Sequence, residues 1–598
     1  MFYPIYTETT SCRDCYKCVR QCPVKAVRIK DGNAFIMKDR CIYCGKCVHV
    51  CPNSAKKIRD DVDRVRLAIK SGRKAICSIA PSFASEFSGY EDELITALYK
   101  LGFSAVSETA IGAKLVTDAL DIYAKEHGNK APFISTACPS VVELVKKYYP
   151  DDVRKLAPVP SPLQSHSAYL RKLYGDDIII VFIGPCVAKK LEADTTPGFP
   201  DFALTFKEFR QWLELENISL EDIKVEKEPE FVPAKAGLTT IYPIEGGQVM
   251  SSEQWKNLGM LNPHAVSLSG MEEVLSALSW SNEDCKAFLE LLACDGGCVN
   301  GPGADRSVSI AKRKRVATDY TLLRVNEQNL FNGDLEFSGE LLKKGYSILQ
   351  NGGPAPEPVY AKKFSETEVR KALVELGKVT KADELNCGGC GYSTCREFAI
   401  AYMSGMAESE MCVTKMRKEA ESKVDVLLRN IPNGIVIVDN ELRIADCNTR
   451  FLDIFGDMED GFVDQSILSM VRGLPIERFV PFADKFRDQF YLSRPGQYRM
   501  HYKDKFIRVT FFLVENKRLL GAMFEDVTNP TVRRETVVKK AEDVIQNSLE
   551  TVQKIASLLG ENAAETEIML NSLIEAFSAT SGSEDDSGFS DDDGRDLA

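Results

Sequence analysis

Apolar residues follow three different rhythms along this chain. From about Lys74, short apolar runs alternate with amphipathic stretches: Ala75 to Ile79 has the make-up of a buried strand and Glu91 to Leu101 carries a helical period. Ile178 to Ile183 is a further buried strand that runs straight into Gly184-Pro185-Cys186. Strands and helices in alternation predict an α/β fold, in which ligands gather at the carboxyl ends of the strands. Near the C-terminus, Gln497 to Tyr502, Phe506 to Val514 and Leu519 to Asp526 alternate in polarity as strands of one sheet. Beyond Pro530 the spacing becomes 3,4: Val538, Ala541, Ile545, Ser548, Val552, Ile555 and Leu559 predict a long helix from Thr531 to about Ser578. A parallel dimer through that helix is expected, the alternative being packing on its own preceding domain. Asn351 to Pro358 reads as a linker, and the Ser-, Asp- and Gly-rich tail from Thr580 to Ala598 as disordered.

At 598 residues and 44% hydrophobic content the chain has room for several domains with ordinary cores. No apolar run approaches the roughly 18–20 residues that cross a bilayer. The first residues lack the basic-then-apolar layout of a signal peptide and carry no twin Arg, so a cytoplasmic protein without a membrane partner is expected. A net charge of −12 argues against nucleic acid as the main partner, because phosphate binding draws on concentrated Lys and Arg.

Cysteine changes the picture. Of 19 cysteines, 16 fall into three kinds of pattern, and in a reducing compartment such clusters serve as metal ligands more often than as disulfides. Cys12, Cys15, Cys18 and Cys22 before Pro23 recur 29 residues later as Cys41, Cys44, Cys47 and Cys51 before Pro52. This is the spacing of bacterial two-cluster ferredoxins, in which the last Cys of each run ligates the other cluster. One 4Fe-4S cluster is therefore expected on Cys12, Cys15, Cys18 and Cys51, the other on Cys41, Cys44, Cys47 and Cys22. A zinc ribbon is the alternative, and eight Cys with two Cys-Pro endings disfavour it.

Four more cysteines stand far apart in short loops: Ser135-Thr136-Ala137-Cys138-Pro139-Ser140, Gly184-Pro185-Cys186-Val187-Ala188-Lys189-Lys190, and Ala293-Cys294-Asp295-Gly296-Gly297-Cys298-Val299-Asn300-Gly301-Pro302-Gly303. One isolated Cys after a strand is more often a buried small hydrophobe than a ligand. Taken together, the three loops resemble those that hold the active-site H-cluster of iron-only (FeFe) hydrogenases, and the resemblance covers most of residues 1–350. It implies a cubane held by Cys138, Cys186, Cys294 and Cys298, with Cys298 bridging to a diiron unit that carries CO, cyanide and a dithiolate. It also implies that Lys189 hydrogen-bonds one cyanide, and that Ala80-Pro81-Ser82 contacts the other through its backbone and Ser82. Gly296, Gly297, Gly301 and Gly303 let backbone approach the cluster closely.

The departures from the family pattern matter as much. The residue before the first ligand, in the family a second Cys that passes protons to the dithiolate amine, is Ala137, and a methyl group cannot transfer a proton. Two relay Glu of the family fall near Leu120 and Tyr123, and a relay Ser falls at Ala157. Gly184 and Leu292 replace Met residues and Leu163 a Gln, changes that retune a metal site without removing it.

Cys387, Cys390 and Cys395, with Cys412 17 residues further on, resemble the small four-Cys iron-sulfur domain of corrinoid proteins and sensory hydrogenases. Zinc is the alternative; the neighbouring ferredoxin and the lack of a local His pair favour 4Fe-4S. Residues 421–528 resemble a PAS domain, on Leu427-Leu428, Ile431-Pro432-Asn433-Gly434, Ile435 to Asp439 and Asn448 to Gly456. No haem or flavin motif is assigned there, and Cys447 reads as a free thiol. Cys77 and Cys285 read as buried thiols, and His49 as a tuner or surface residue. His166 and His264 have no partner motif; Thr109 and Ser161 are candidates to polarise the site.

The predicted architecture is multidomain α/β and α+β. It comprises a two-cluster ferredoxin domain (residues 1–60), an H-cluster domain (61–365), a small 4Fe-4S domain (366–418), a PAS domain (419–528), a signalling helix (529–578) and an acidic tail (579–598). The chain resembles the sensory, PAS-containing branch of the FeFe hydrogenases. That resemblance implies four 4Fe-4S clusters, the H-cluster cubane included, H2 binding, relay of redox state to the PAS domain, and low reversible hydrogenase turnover. The implied partners are H2 and protons, a ferredoxin-like redox protein, hydrogenase maturation proteins, a downstream kinase, phosphatase or regulator, and a second copy of the chain. The alternatives are a catalytic, even electron-bifurcating, hydrogenase with a non-standard proton pathway, and a non-catalytic hydrogenase-like iron-sulfur assembly protein.

Overall fold

The computed structural model describes residues 3–127, 133–225, 230–254, 265–280, 287–350 and 355–528, apart from 361, 457–467, 469, 493–495, 504 and 516–517. The predicted C-terminal helix and tail, Cys285 and His264 lie outside the described residues. Two compact units are present, one of residues 1–372 and 385–408, the other of 373–384 and 409–598. The small module expected at 366–418 is therefore divided, its first three cysteines falling in one unit and Cys412 in the other.

The cysteine duplication at the head of the first unit is also a structural one. Strand β1 (Ile5–Thr7) pairs antiparallel with β4 (Lys56–Ile58), and β2 (Val27–Lys30) with β3 (Asn33–Ile36). Each Cys run feeds a single helical turn, Lys17–Gln21 and Lys46–Val50, entered from a left-handed residue, Tyr16 and Gly45, and ended by the Cys of Cys-Pro.

Two parallel sheets follow. In the first the order is β6 (Ala105–Glu108), β5 (Lys74–Ile79), β8 (Ile178–Gly184), β9 (Phe202–Thr205). In the second it is β10 (Ala265–Ser269), β11 (Phe288–Leu292), β7 (Phe133–Ile134). Every residue of β8 is buried, as a strand covered on both faces must be. The helix Pro139–Tyr148 fastens the ferredoxin-like segment to the second sheet: Lys147 Nζ donates to the Cys41 carbonyl at 2.7 Å and Tyr148 Oη to that of Arg40 at 2.8 Å. Beneath the first sheet, Lys190 is fully buried with its ammonium 2.8 Å from both Asp61 and Glu208. The Pro-rich stretch read as a linker is partly anchored, because the amides of Glu357 and Val359 donate to the carbonyls of Lys146 and Lys147 at 3.0 Å.

The second unit holds a five-stranded antiparallel sheet in the order β13 (Ile444–Cys447), β12 (Gly434–Asp439), β16 (Leu519–Asp526), β15 (Lys505–Glu515), β14 (Gln497–Tyr502). Its core is aromatic: Phe451, Phe455, Phe486, Phe511 and Phe524 are buried among Val436, Ile444 and Val509. Asn448 pins the first turn, accepting from the Ile435 and Phe451 amides and donating to the carbonyls of Leu428 and Asn433.

Candidate functional site

The carboxyl ends of five parallel strands converge on one cavity. Strand β7 leads to Cys138, β8 to Cys186, β11 to Cys294 and Cys298, β5 to Ala80-Pro81-Ser82 and β6 to Thr109, and all of these residues line a cavity of about 100 Å³. That is where the edges of parallel sheets offer free backbone and mobile loop. Lys189, Ala137, Leu163 and Leu292 also line the cavity, and Tyr43 and Cys44 reach it from the ferredoxin-like segment. The close approach depends on glycine: a Cβ on Gly45 (φ +74°) would lie 2.5 Å from Pro302, and one on Gly297 (φ +101°) would lie 2.5 Å from the Pro243 carbonyl oxygen.

The donors fit a large, soft, anionic inorganic group. Burial, followed by the Cys138 thiol, pushes Cys186 up to about 11, and burial with neighbouring thiols also raises Cys294 and Cys298. Thiols raised in this way are held protonated and would release their protons on binding metal. Among the described residues no three Cys, His, Asp or Glu side chains close up as a lone metal ion requires. Four thiols around an open cavity therefore suit a cluster better than a single zinc ion. Ser82 Oγ is buried without a hydrogen-bond partner, a donor left for the cavity's occupant. Lys189 Nζ is held 2.8 Å from Glu192 and 3.0 Å from Ser161 Oγ, which keeps a third N–H for the cavity.

The departures have a physical shape. Ala137 presents a methyl group to the cavity while its amide donates to Ser135 Oγ at 3.2 Å. Leu120 and Ala157 lie together in one apolar cluster with Phe133, Val159 and Phe288, and Tyr123 packs edge-on against Phe133 at 5.4 Å. The positions expected for the relay thus hold no carboxyl or Ser hydroxyl, although Ala157 also lines a second cavity of about 630 Å³ with Thr136, Ser161, Gln164 and Glu192. At Gly184 a Cβ would meet the Phe182 ring at 2.4 Å and the Ala80 Cβ at 2.7 Å, so Phe182, which lines the cavity, takes up room that a larger residue at 184 would need.

The N-terminal cysteines sort as the swapped pattern requires. Cys12, Cys15, Cys18 and Cys51 line one small cavity, and Cys22, Cys41, Cys44 and Cys47 another. Cys44 also faces the central cavity, so a group bound by the second set lies beside it. His49 is half-buried, and burial with Arg306, Lys207 and Lys46 lowers it to about 3, so it stays neutral. The loop bearing Cys387, Cys390 and Cys395 packs on the same segment: Arg20 donates to the Gly389 carbonyl at 3.1 Å and to that of Cys15 at 3.0 Å. Ile29 N and Asp31 N bond to Met406 O and Glu408 Oε1. Cys412 is buried in the second unit, and its association with the other three rests on sequence spacing.

Of two buried groups, one escaped the sequence reading and the other was read there without partners. Glu290, inside the apolar strand β11, is raised by burial to about 7 although the amides of Gln248 and Val249 and the Ser267 hydroxyl donate to it. A lone acid in an otherwise apolar strand four residues before Cys294 was the available signal. His166 is fully buried and held at both ring nitrogens, by Ser78 and Ser107. Cys77 is a buried thiol, as expected, and Cys447, read as a free thiol, is buried as well.

Residues 73–302 match the family model of the iron only hydrogenase large subunit, C-terminal domain. Residues 4–52 match a 4Fe-4S dicluster domain, 383–414 a putative Fe-S cluster domain, and 423–490 a PAS domain. Iron hydrogenase 1 of Clostridium pasteurianum is 23% identical over 301 residues, 40% of this chain and 52% of the relative. Subunit HndD of the NADP-reducing hydrogenase of Solidesulfovibrio fructosivorans is 23% identical over 262 residues, 35% and 45% of the two chains. A cytosolic Fe-S cluster assembly factor, NAR1 of Meyerozyma guilliermondii, is 29% identical over 131 residues, 20% of this chain and 25% of its own. The chain thus spans about half the length of the curated hydrogenases it matches. Among solved structures, the apo HydA1 [FeFe]-hydrogenase of Chlamydomonas reinhardtii is 17% identical with a TM-score of 0.36, covering 50% of this chain and 96% of that one. An FeFe hydrogenase large-subunit domain, iron-sulfur domains and a PAS domain are all present in this protein.

Proposed function

We propose that this protein, in which a hydrogenase large-subunit domain is flanked by two iron-sulfur domains and followed by a PAS domain, is a hydrogen sensor. In this reading H2 binds at an H-cluster and the redox change passes through iron-sulfur clusters to the PAS domain, with slow reversible hydrogenase turnover. The observation that carries it is the composition of one cavity wall. Four cysteines, Lys189 and the unpartnered Ser82 are gathered there, while the position next to Cys138 is a methyl group and Leu120 and Ala157 are apolar. A site built to hold the cluster but not to feed it protons suits detection better than flux.

The bound group would supply the metal centre at which H2 is held and cleaved or formed. The protein's part is binding and orientation. Cys138, Cys186, Cys294 and Cys298 would hold the cubane, with Cys298 shared with the diiron unit, and Lys189 and the Pro81-Ser82 turn would bind its cyanides. Cys44 and Tyr43, on the cavity wall, would place the second ferredoxin cluster beside it, and Cys387, Cys390, Cys395 and Cys412 would hold a further 4Fe-4S cluster. Glu290 favours a second reading, a catalytic hydrogenase with its own proton route. It is a carboxyl able to take and release a proton near neutrality, beside Gln248, which accepts from Ser135 Oγ at 2.6 Å. The assembly-factor reading has no use for Lys189 and Ser82 at the cavity.

The test is anaerobic maturation followed by infrared spectroscopy and turnover per assembled cluster. Bands of CO and cyanide that respond to H2, with turnover about 10²- to 10⁴-fold below a relay-intact relative, are expected. Fast turnover selects the catalytic reading, and a matured protein without the bands rejects both.

A further inference from the structure

A line of buried hydroxyls with one imidazole ends at the cavity wall. Ser107 Oγ lies 2.8 Å from His166 Nε2, His166 Nδ1 lies 2.8 Å from Ser78 Oγ, and Ser78 Oγ lies 2.7 Å from Thr109 Oγ1. Ser78, Ser107 and His166 are 0% exposed, and Thr109, at 6%, lines the cavity. Ser78 and Ser107 are cross-strand partners on β5 and β6, so the sheet sets their spacing and the imidazole spans them. Thr109 is fixed in turn by its amide, which donates to the Ile79 carbonyl at 2.9 Å, immediately before the Ala80-Pro81-Ser82 turn.

Burial lowers His166 to about 3, so the ring is neutral and has one donor nitrogen and one acceptor. Three hydrogen bonds then share the protons of three hydroxyls and one N–H. With every bond made, the protons can run in three ways, which differ in whether the unused O–H is that of Thr109, Ser78 or Ser107. Only when Ser107 donates to Nε2, Nδ1–H to Ser78 and Ser78 to Thr109 is the Thr109 O–H free for the cavity; in the other two Thr109 donates to Ser78 and shows the cavity its lone pairs. Four thiolates and cyanide make the cavity's occupant anionic, and a hydroxyl donor facing an anion is strongly preferred to a lone pair.

We infer that Ser107, His166, Ser78 and Thr109 form an aligned hydrogen-bond chain whose free end, the Thr109 O–H, donates to the ligand shell of the diiron unit on the side of the Ala80-Pro81-Ser82 turn. This rests on the H-cluster reading above. His166, Ser78 and Ser107 are then positioning residues that act through Thr109, and cluster loading selects the Nδ1–H tautomer of His166.

Infrared spectra of the matured full-length protein test it. Thr109→Val keeps the shape and removes the donor. Withdrawing a hydrogen bond leaves more electron density on the irons, so the CO bands move to lower frequency. Thr109→Ser keeps wild-type frequencies. His166→Phe shifts the same bands in the same direction, and adding it to Thr109→Val produces no further shift, because both changes break one chain. The electron paramagnetic resonance signals of the N-terminal clusters report folding; where His166→Phe does not fold, Ser78→Ala cuts the chain at the next link with the same expectation. Bands present but unmoved in Thr109→Val, or shifts that add, overturn the inference while the H-cluster reading stands. A matured wild-type protein with no CO or cyanide bands overturns both.

Discussion

Ala137→Cys places a thiol where the structure has a methyl group facing the cavity. A well-placed acid or base contributes about 10²- to 10⁴-fold, yet this change alone is expected to recover little of it. At the positions expected for the next stations stand Leu120, 0% exposed, and Ala157, 5% exposed, in a common apolar cluster, and neither side chain can take up a proton. Adding Leu120→Glu, Tyr123→Glu and Ala157→Ser supplies the missing stations and should raise turnover well beyond the single variant. That gain carries a cost in stability. Leu120 gives up about 1.5–3 kcal/mol of apolar burial, and a carboxyl in its place is pushed upward by desolvation, so it waits protonated, a state that still relays. The assay is H2 evolution per diiron unit, the occupancy taken from infrared band area and the fold from thermal melting. The reasoning is refuted if Ala137→Cys alone matches the fourfold variant, or if the wild type already turns over as fast as relay-intact relatives.

Cys298→Ser should leave the ferredoxin signals intact and abolish or labilise the CO and cyanide bands, and Lys189→Asn should lower their area; unchanged bands in both would show that the cluster is misplaced. Cys387→Ser or Cys395→Ser should remove one cubane's worth of iron and sulfide and spare the infrared bands. Lys190→Ala leaves the buried Glu208 without its ion-pair partner, while Asp61 keeps Arg59 and Arg64, and should cost about 3 kcal/mol in denaturant unfolding. Glu290 rises from 4.5 to about 7 on folding, so the folded protein holds its proton the more tightly. That stabilisation is complete below pH 4.5 and is lost as the pH climbs through 7, about 3 kcal/mol in all. Glu290→Gln should therefore flatten the fall in melting temperature between pH 5 and pH 8.

Covalent ligand spacing is local, and that is why the iron-sulfur segments are legible in the sequence. The swapped membership of Cys22 and Cys51 follows from two short runs, and the structure lines separate cavities with those sets. Buried strands such as Ile178–Gly184 are equally plain because an all-apolar run has few other homes. What stays hidden is long-range. His166 finds its partners 88 and 59 residues away, and no motif joins them. The loss at Gly184 is intelligible only beside Phe182, whose ring occupies the adjoining space. The Pro-rich stretch near 355 looks free until Glu357 and Val359 are seen bonded to Lys146 and Lys147. Arg20, which no motif singles out, ties the Cys387–Cys395 loop to the ferredoxin helix.

The central claim is that H2 bound at the cavity is felt in the PAS domain. A ligand can bias a distant element only by differing in affinity for its two states, so the change must appear as altered local stability. The direct measurement is amide hydrogen exchange across residues 423–528 of the matured full-length protein under H2 and under argon, with infrared spectra taken on the same samples. The account predicts that the infrared bands and the exchange of the PAS strands change together. An H2-responsive infrared spectrum with identical exchange through those residues would contradict it and leave a slow hydrogenase in place of a sensor.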